Sequence, residues 1–153
     1  MLSTAVETPW GTFTAQGDQW GVERIYLPGE AAPDGAEGPL PWDFAGQLTD
    51  YLAGTRRDWN LPFLLQGTPF RLAVLYACRD IPYGASLSYG ELAQAAGYPG
   101  AARAVGHVMA TNPLPLLIPC HRVGPADGSL GRYRGGEEMK ERLRALEMRM
   151  KNE

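Results

Sequence analysis

Alternating apolar and polar positions near the start of the chain predict a β-hairpin. The stretch GTFTAQGDQWGVERIYL (11–27) alternates on either side of Gly17-Asp18, which is typical of two strands joined by a tight turn. A Gly/Pro/Ala-rich loop without periodicity follows at 29–41. From Trp42 to Leu52, apolar residues recur at helical spacing, and Gly54 stands where that helix would end. The segment LPFLLQG (61–67) is either a short buried strand or an extended linker.

The chain beyond residue 67 is predicted to be mainly helical. Thr68 and Pro69 have the order of a cap and a first helical residue. Ser88 and Glu91 have the spacing of a capping box, so a second helix begins near Tyr89 and stops near Gly97. A third helix is predicted at 101–110 and a last one after Gly136. The apolar stripes of the first and last helices comprise Phe70, Val74, Ala77 and Ile81, and Met139, Leu143, Leu146 and Met150.

This change of pattern divides the chain into two domains with a boundary near Gln66-Gly67. Residues 1–66 are predicted to form a small α/β domain, and residues 67–153 a mostly helical domain. The two parts also differ in charge, with a net charge of −6 before residue 67 and +3 after it. A positive excess in one part favours an anionic partner such as nucleic acid, although an ordinary solvated surface produces the same excess.

Two short helices around the GYPG turn (97–100) are a candidate helix-turn-helix, but an ordinary helical hairpin has the same pattern. A helix that reads the major groove carries Arg, Asn or Gln at several successive turns. This one has small residues and a single long cation, Arg103. If it binds DNA, we expect it to read little sequence. The small residues are Ala101, Ala102, Ala104 and Gly106.

The stretch IPCHRV (118–123) places Cys120 beside His121. Its pattern alone fits a buried cysteine, a metal site or a nucleophile with its base. Two Cys and two His without a Cys-x-x-Cys or His-x-x-x-His pair make a poor zinc site, so we expect no metal. The prolines at 113, 115 and 119 predict an extended segment, in which adjacent side chains point to opposite faces. Cys120 and His121 then need a bridging water or a sharp turn to act together.

Other features of the sequence limit the alternatives. Cys78 lies beside an apolar helical stripe and is interpreted as a core thiol. No run of about 18 apolar residues is present, and the first residues lack a basic start and an apolar core, so we expect a cytoplasmic protein without a membrane segment. Glu147 flanks the stripe of the last helix, where a carboxylate needs a partner if it is buried. His107 is expected to be solvated or to line a groove.

Four blocks of sequence resemble the O6-alkylguanine-DNA alkyltransferase (methylated-DNA–protein-cysteine methyltransferase) family. SYGELA, AARAVG, NPLPLLIPCHRV and GRYRGG occur in that family's order and spacing, over about residues 67–150. The resemblance implies a ribonuclease-H-like N-terminal α/β domain and a helical C-terminal domain with a winged helix-turn-helix-like unit. It implies that O6-alkylguanine, and O4-alkylthymine as a further substrate, is flipped out of double-stranded DNA. The alkyl group then passes irreversibly to Cys120, once per molecule.

The resemblance also assigns roles to residues. Cys120 is implied as acceptor, His121 as a base acting through a water, Glu147 as the carboxylate that orients the imidazole, and Asn112 as the hinge before the active segment. Tyr89 resembles the residue at the 3′ phosphate, and Arg103 the finger that fills the vacated stack. The remaining assignments are Ala101, Ala102 and Gly106 for DNA contact, and Tyr133, Pro115, Val123, Arg134 and Lys140 for the substrate pocket.

Two departures from the family pattern bear on function. Arg134 stands where many relatives carry a small polar residue, which bears on the width of the pocket. Several animal members bind zinc through an N-terminal domain, but this chain has no Cys or His before Cys78, so no zinc or other cofactor is expected. The alternatives are an alkyltransferase-like protein that binds lesions without transfer, and a cysteine hydrolase. The presence of Cys120 argues against the first. We expect a monomer.

Overall fold

The structure is a computed structural model that describes residues 1–152. It divides into two compact units, Met1–Leu65 and the chain from Gln66 onward. The described residues contain five α-helices, a three-stranded sheet and a two-stranded sheet, so the predicted mixed α/β class is confirmed. Within residues 1–152, no helix is long and apolar enough to cross a membrane.

The first unit is built on an antiparallel sheet whose strands follow sequence order. The predicted hairpin is confirmed: β2 and β3 pair, and Asp18 Oδ1 accepts a hydrogen bond from Trp20 N at 2.7 Å in the turn. Gly17 lies at a bulge, where a Cβ would stand 2.1 Å from the Gly21 carbonyl oxygen. The first strand, which the pattern did not identify, pairs along β2. The strands are β1 (Leu2–Thr8), β2 (Gly11–Asp18) and β3 (Gly21–Tyr26).

One helix, α1 (Phe44–Leu52), completes the core of this unit. It begins two residues later than predicted because Asp43 is its cap and accepts a hydrogen bond from Gly46 N at 2.8 Å. The segment 61–67, predicted as a short strand or an extended linker, contains an isolated parallel bridge between Phe63 and Val22. The buried apolar residues of the unit include Phe13, Ala15, Val22, Ile25, Leu27, Phe44, Leu48 and Tyr51.

The second unit contains the other four helices, and each predicted helix is present. Helices α3 and α4 pack against each other and against α2. The turn between α3 and α4 contains Gly97 and Gly100, whose φ angles of 90° and 87° lie in the left-handed region that favours glycine. The helices are α2 (Pro69–Arg79), α3 (Tyr89–Ala95), α4 (Ala102–Ala110) and α5 (Glu137–Met150).

A parallel pair of short strands joins the start of α3 to the chain that directly follows Cys120–Arg122. Strand β4 (Leu87–Ser88) pairs with β5 (Val123–Gly124). The predicted capping box is confirmed: Ser88 Oγ accepts from Glu91 N at 3.0 Å, and Glu91 Oε1 accepts from Ser88 N at 2.8 Å. The cap therefore fixes where α3 begins relative to β5.

Replacing Ser88 with alanine is expected to lower the free energy of unfolding by about 1 kcal/mol, because the Glu91 backbone N–H loses its acceptor. Urea denaturation measures this loss. The matched control is Ser86→Ala at an exposed position nearby, which should change stability by less than about 0.5 kcal/mol. Equal losses in the two variants would contradict the capping role.

Candidate active site

The segment that carries Cys120 is folded into tight turns, and the predicted extended conformation is wrong for most of it. Cys120–Arg122 form one turn of 3₁₀-helix. Cys120 N donates to the Ile118 carbonyl at 2.7 Å, and Arg122 N donates to the Pro119 carbonyl at 2.9 Å. Buried backbone groups must be paired, and here they pair within the segment. This turn is a sharp bend of the kind that Cys120 and His121 would need in order to act together.

Asn112 holds the beginning of this segment against its end. Its side-chain nitrogen donates to the Ile118 carbonyl at 2.8 Å, and its side-chain oxygen accepts from Leu114 N at 2.9 Å. Asn112 is buried, and its side chain also hydrogen-bonds Cys120. The predicted hinge residue therefore contacts both the backbone of the segment and the candidate nucleophile.

His121 and Glu147 form a buried pair. His121 Nε2 lies 2.8 Å from Glu147 Oε2, with the side chains 0% and 2% exposed. Burial lowers the pKa of His121 from its ordinary value, and the hydrogen bond and charge of Glu147 only partly oppose this. An ionised carboxylate can only accept, so in the neutral imidazole the proton stands on Nε2 and Nδ1 keeps the lone pair. Nδ1 is therefore the ring atom of His121 that could accept a proton.

Arg122 is a member of this cluster that the sequence analysis did not assign. Its Nε and Nη2 donate to the two carboxylate oxygens of Glu147 at 2.8 and 2.9 Å, and its Nη1 donates to the Ile81 carbonyl at 2.6 Å. Gly84 N adds a fourth donor to Glu147 at 3.1 Å. The signal was present in the sequence, since a buried carboxylate needs a partner and Arg122 directly follows His121.

The donors around Glu147 keep it ionised. Burial alone would raise the pKa of this carboxyl, but the hydrogen bonds from His121 and Arg122 outweigh burial and hold its pKa well below the usual range. A bidentate Arg–carboxylate pair also fixes the orientation of the carboxylate. Glu147 can therefore hold the imidazole of His121 in one position.

The Cys120 thiol is buried, with 6% of the residue exposed. Burial raises the pKa of this thiol, while the hydrogen bond from Asn112 and the charges of Arg134 and Lys140 act in the opposite direction. Thiolate is the reactive form of cysteine. The thiol therefore needs a base to lose its proton at neutral pH.

Two of the predicted pocket residues, Lys140 and Arg134, belong to the surroundings of Cys120. Lys140 is 1% exposed, and its Nζ donates to the Val123 carbonyl at 2.8 Å and to the Arg132 carbonyl at 3.4 Å. Burial, reinforced by Arg144, lowers its pKa to about 8. Arg134 is half-buried, and its Nη1 donates to the Asn112 carbonyl.

The other predicted pocket residues are Val123, Pro115 and Tyr133. Val123 is buried in β5, where it pairs with Leu87 of β4. Pro115 is buried in the turn that it makes with Ile118, and Tyr133 is half-buried in the loop before α5.

A groove of about 400 Å³ runs beside helix α4. Tyr89 and Gly106 both line it, and a Cβ at Gly106 would lie 4.0 Å from the Tyr89 ring. Burial and, to a smaller extent, the charge of Cys120 raise the pKa of Tyr89. The Tyr89 hydroxyl therefore remains a hydrogen-bond donor at neutral pH. The lining residues are Tyr89, Gly106, His107, Ala110, Pro125, Gly131 and Arg132.

The remaining predicted DNA-binding residues lie at the start of α4. Arg103 is exposed, and Ala101 and Ala102 are half-buried. Ala101 is the N-cap and provides no side-chain hydrogen bond, so it leaves donors at the first turn to other acceptors. In the part of the chain that the structure describes, these three residues are not members of the hydrogen-bonded cluster around Cys120. Among the same residues, no group of three His, Cys, Asp or Glu side chains could hold a metal ion.

The fold and the site define a mixed α/β protein in which a buried cysteine is followed in sequence by a buried histidine that is hydrogen-bonded to a buried carboxylate. Sequence comparison identifies the family. Residues 69–149 match the family described as 6-O-methylguanine DNA methyltransferase, DNA binding domain. The chain belongs to the methylated-DNA–protein-cysteine methyltransferase family, and the predicted resemblance is confirmed.

The chain matches different shares of the length of its relatives. The inducible methylated-DNA–protein-cysteine methyltransferase of Bacillus subtilis is 44% identical over 110 residues, which is 72% of this chain but 62% of that protein. The Methanosarcina acetivorans methylated-DNA–protein-cysteine methyltransferase is 35% identical over 156 residues, covering 96% of this chain and 98% of that protein. The chain thus spans less than two thirds of the first relative and nearly all of the second.

Solved structures agree with the fold. The crystal structure of Mycobacterium tuberculosis OGT in complex with DNA superimposes with a TM-score of 0.88 at 33% identity, covering 98% of this chain and 94% of that one. The mixed α/β architecture described above is therefore that of a protein crystallised with DNA.

Proposed function

We propose that this protein repairs DNA by direct reversal, turning O6-alkylguanine out of the duplex and transferring its alkyl group irreversibly to Cys120. The observation that carries this proposal is the buried cluster in which Cys120 directly precedes the His121–Glu147 pair, on a segment that Asn112 holds through its hydrogen bond to the Ile118 carbonyl. The names of the relatives and the DNA complex of the M. tuberculosis protein favour transfer over lesion binding alone.

The reaction is a displacement at the alkyl carbon. His121 Nδ1, through a bridging water, takes the Cys120 proton, and the sulfur attacks the carbon bound to O6. The carbon–oxygen bond breaks, its electron pair stays with guanine, and the departing base takes up a proton. A stable thioether remains on Cys120, so each molecule acts once.

The leaving oxygen needs donors, because charge develops on it as the bond breaks. Tyr89 is suited to this by its protonated hydroxyl beside the groove, and Lys140 by its closeness to Cys120. We assign Tyr133, Pro115, Val123 and Arg134 to the walls of the base pocket. O4-alkylthymine, whose alkyl group is also carried on an exocyclic oxygen, is a second proposed substrate.

Helices α3 and α4 with the turn between them form the proposed helix-turn-helix, and β4, β5 and the loop that follows form its wing. The small residues Ala101, Ala102 and Gly106 would allow α4 to approach the minor groove closely without reading much sequence. We propose residues 67–153 as the DNA-binding and acceptor domain and residues 1–66 as a ribonuclease-H-like domain. A reduced acceptor thiol suits the cytoplasm.

Replacing Arg103 with alanine is expected to slow transfer from duplex DNA about tenfold or more, since flipping costs a few kcal/mol and Arg103 would offset part of it. Transfer from a single-stranded oligonucleotide should change less, because there is no stack to fill. The measurement is the single-turnover rate on both substrates. Arg149→Ala, which removes another exposed cation, is the control. Equal slowing on both substrates would contradict the finger role.

The proposed function is tested by titrating the protein with duplex DNA that contains a radiolabelled O6-methylguanine. We expect labelled protein to accumulate to one methyl group per molecule and then stop. Continued release of product beyond one equivalent would indicate a hydrolase instead. Saturable binding without loss of label from the DNA would indicate a lesion-binding protein. An O4-methylthymine duplex in the same assay tests the second substrate.

A further inference from the structure

One face of helix α5 hydrogen-bonds the chain at His121 and Val123, next to Cys120. Positions 140, 144 and 147 are spaced four and three residues apart, so they lie on the same side of the helix. Lys140 donates to the Val123 carbonyl at 2.8 Å, Arg144 Nε donates to the His121 carbonyl at 2.7 Å, and Glu147 receives His121 Nε2. Lys140 and Glu147 already have proposed roles, but Arg144 does not.

We propose that Arg144 is a positioning residue of the alkyl-acceptor site, which holds the His121 peptide in place through its hydrogen bond to the His121 carbonyl. This inference rests on the proposed function. The hydrogen bond of Arg144 is to the backbone of the turn, so Arg144 acts on the proposed base by holding the His121 peptide.

The Arg144 guanidinium lies close to the backbone that follows His121. Besides the bond from Nε to the His121 carbonyl, Arg144 Nη2 stands 3.2 Å from the place that a Cβ at Gly124 would occupy. A side chain at Gly124 would therefore press on Arg144. The turn is thus held from two sides, by Glu147 at the His121 ring and by Arg144 at the His121 carbonyl.

The charge of Arg144 acts in the direction that a base requires. The charged groups facing His121 are Glu147 and Arg144 from α5 and Arg122 from its own turn. Burial lowers the pKa of His121, Glu147 opposes this, and Arg122 and Arg144 lower it further. Removing the positive charge at 144 should raise this pKa. At a given mildly acidic pH, less of the imidazole is then neutral and able to accept the thiol proton.

The test compares Arg144→Gln, which removes the charge, with Arg144→Lys, which keeps the charge but changes the donor. Single-turnover transfer from an O6-methylguanine duplex is measured against pH, and the His121 pKa is followed by NMR. For Arg144→Gln we expect about a tenfold slower reaction at neutral pH, with the acidic limb of the profile moved to higher pH. For Arg144→Lys we expect a lower plateau rate, with the acidic limb of the pH–rate profile at the same pH as in wild type. Arg142→Gln, exposed on the same helix, should match wild type.

The outcomes separate this inference from the function on which it rests. If wild type is active and Arg144→Gln shows the same transfer rate and the same acidic limb of the pH profile, the inference about Arg144 is overturned and the proposed function is not. A lower melting temperature with no movement of the limb would also overturn it, since that marks a purely structural role. If Arg144→Gln does not fold, a wild-type plateau in Arg144→Lys would be the contradicting result. Wild type that transfers no alkyl group would overturn both proposals.

Discussion

Replacing Cys120 with alanine is expected to abolish alkyl transfer while leaving affinity for lesion-containing duplex nearly unchanged. The substitution removes the sulfur atom that is proposed to form the new bond. The groove beside α4 and the exposed Arg103 remain in place. Loss of one small buried side chain typically costs about 1–2 kcal/mol of stability, which a folded domain tolerates. Transfer is followed with labelled DNA, and binding by fluorescence anisotropy.

Cys78 provides the matched control. It is also buried, and burial raises the pKa of its thiol as well. Cys78→Ala is therefore expected to lower stability by a similar amount and to keep full transfer. If Cys78→Ala abolished transfer and Cys120→Ala retained it, the assignment of the acceptor would be wrong.

Replacing Glu147 with glutamine is expected to slow transfer by about 10²–10³-fold and to destabilise the protein by about 3 kcal/mol. Glutamine keeps the shape but not the charge, so Arg122 becomes a buried cation without its anion. The amide also offers a donor to His121, which favours the wrong tautomer and places the proton on Nδ1. Glu141→Gln, exposed on the same helix, is the control and should behave as wild type in both measurements.

The same carboxylate makes stability depend on pH in a defined direction. The folded pKa of Glu147 is well below the unfolded value of about 4.3. Its contribution is therefore fully present above that value and is lost as the pH falls toward the folded pKa. In acid denaturation, Glu147→Gln should therefore not show the decrease in the free energy of unfolding that protonation of Glu147 causes in wild type. Identical pH dependence in wild type and variant would show that Glu147 does not carry it.

Much of the fold could be predicted because local signals decide it. The caps at Thr68 and Ser88 locate α2 and α3, and the alternation around Gly17-Asp18 locates the hairpin. The 3₁₀ turn at Cys120–Arg122 could not be read in the same way. Proline spacing favours extended backbone, and the turn depends on hydrogen bonds within the buried segment.

The site was predicted as far as its residue types imply chemistry. Cys120, His121 and Glu147 have reactive or titratable side chains, and their roles were implied by the family resemblance, while the pattern left open whether Glu147 on α5 is buried. Arg122 and Arg144 act by holding other groups, and their partners come from distant positions in the sequence. Such contacts depend on tertiary packing, which a pattern of apolar and polar residues does not contain.

The most direct test of the central proposal is the mass of the peptide that contains Cys120, after the protein has reacted with duplex DNA carrying one O6-methylguanine. We predict that this peptide gains one methyl group on sulfur and that the Cys78 peptide stays unmodified. Protein that binds the lesion duplex fully, yet returns an unmodified Cys120 peptide, would contradict the proposal.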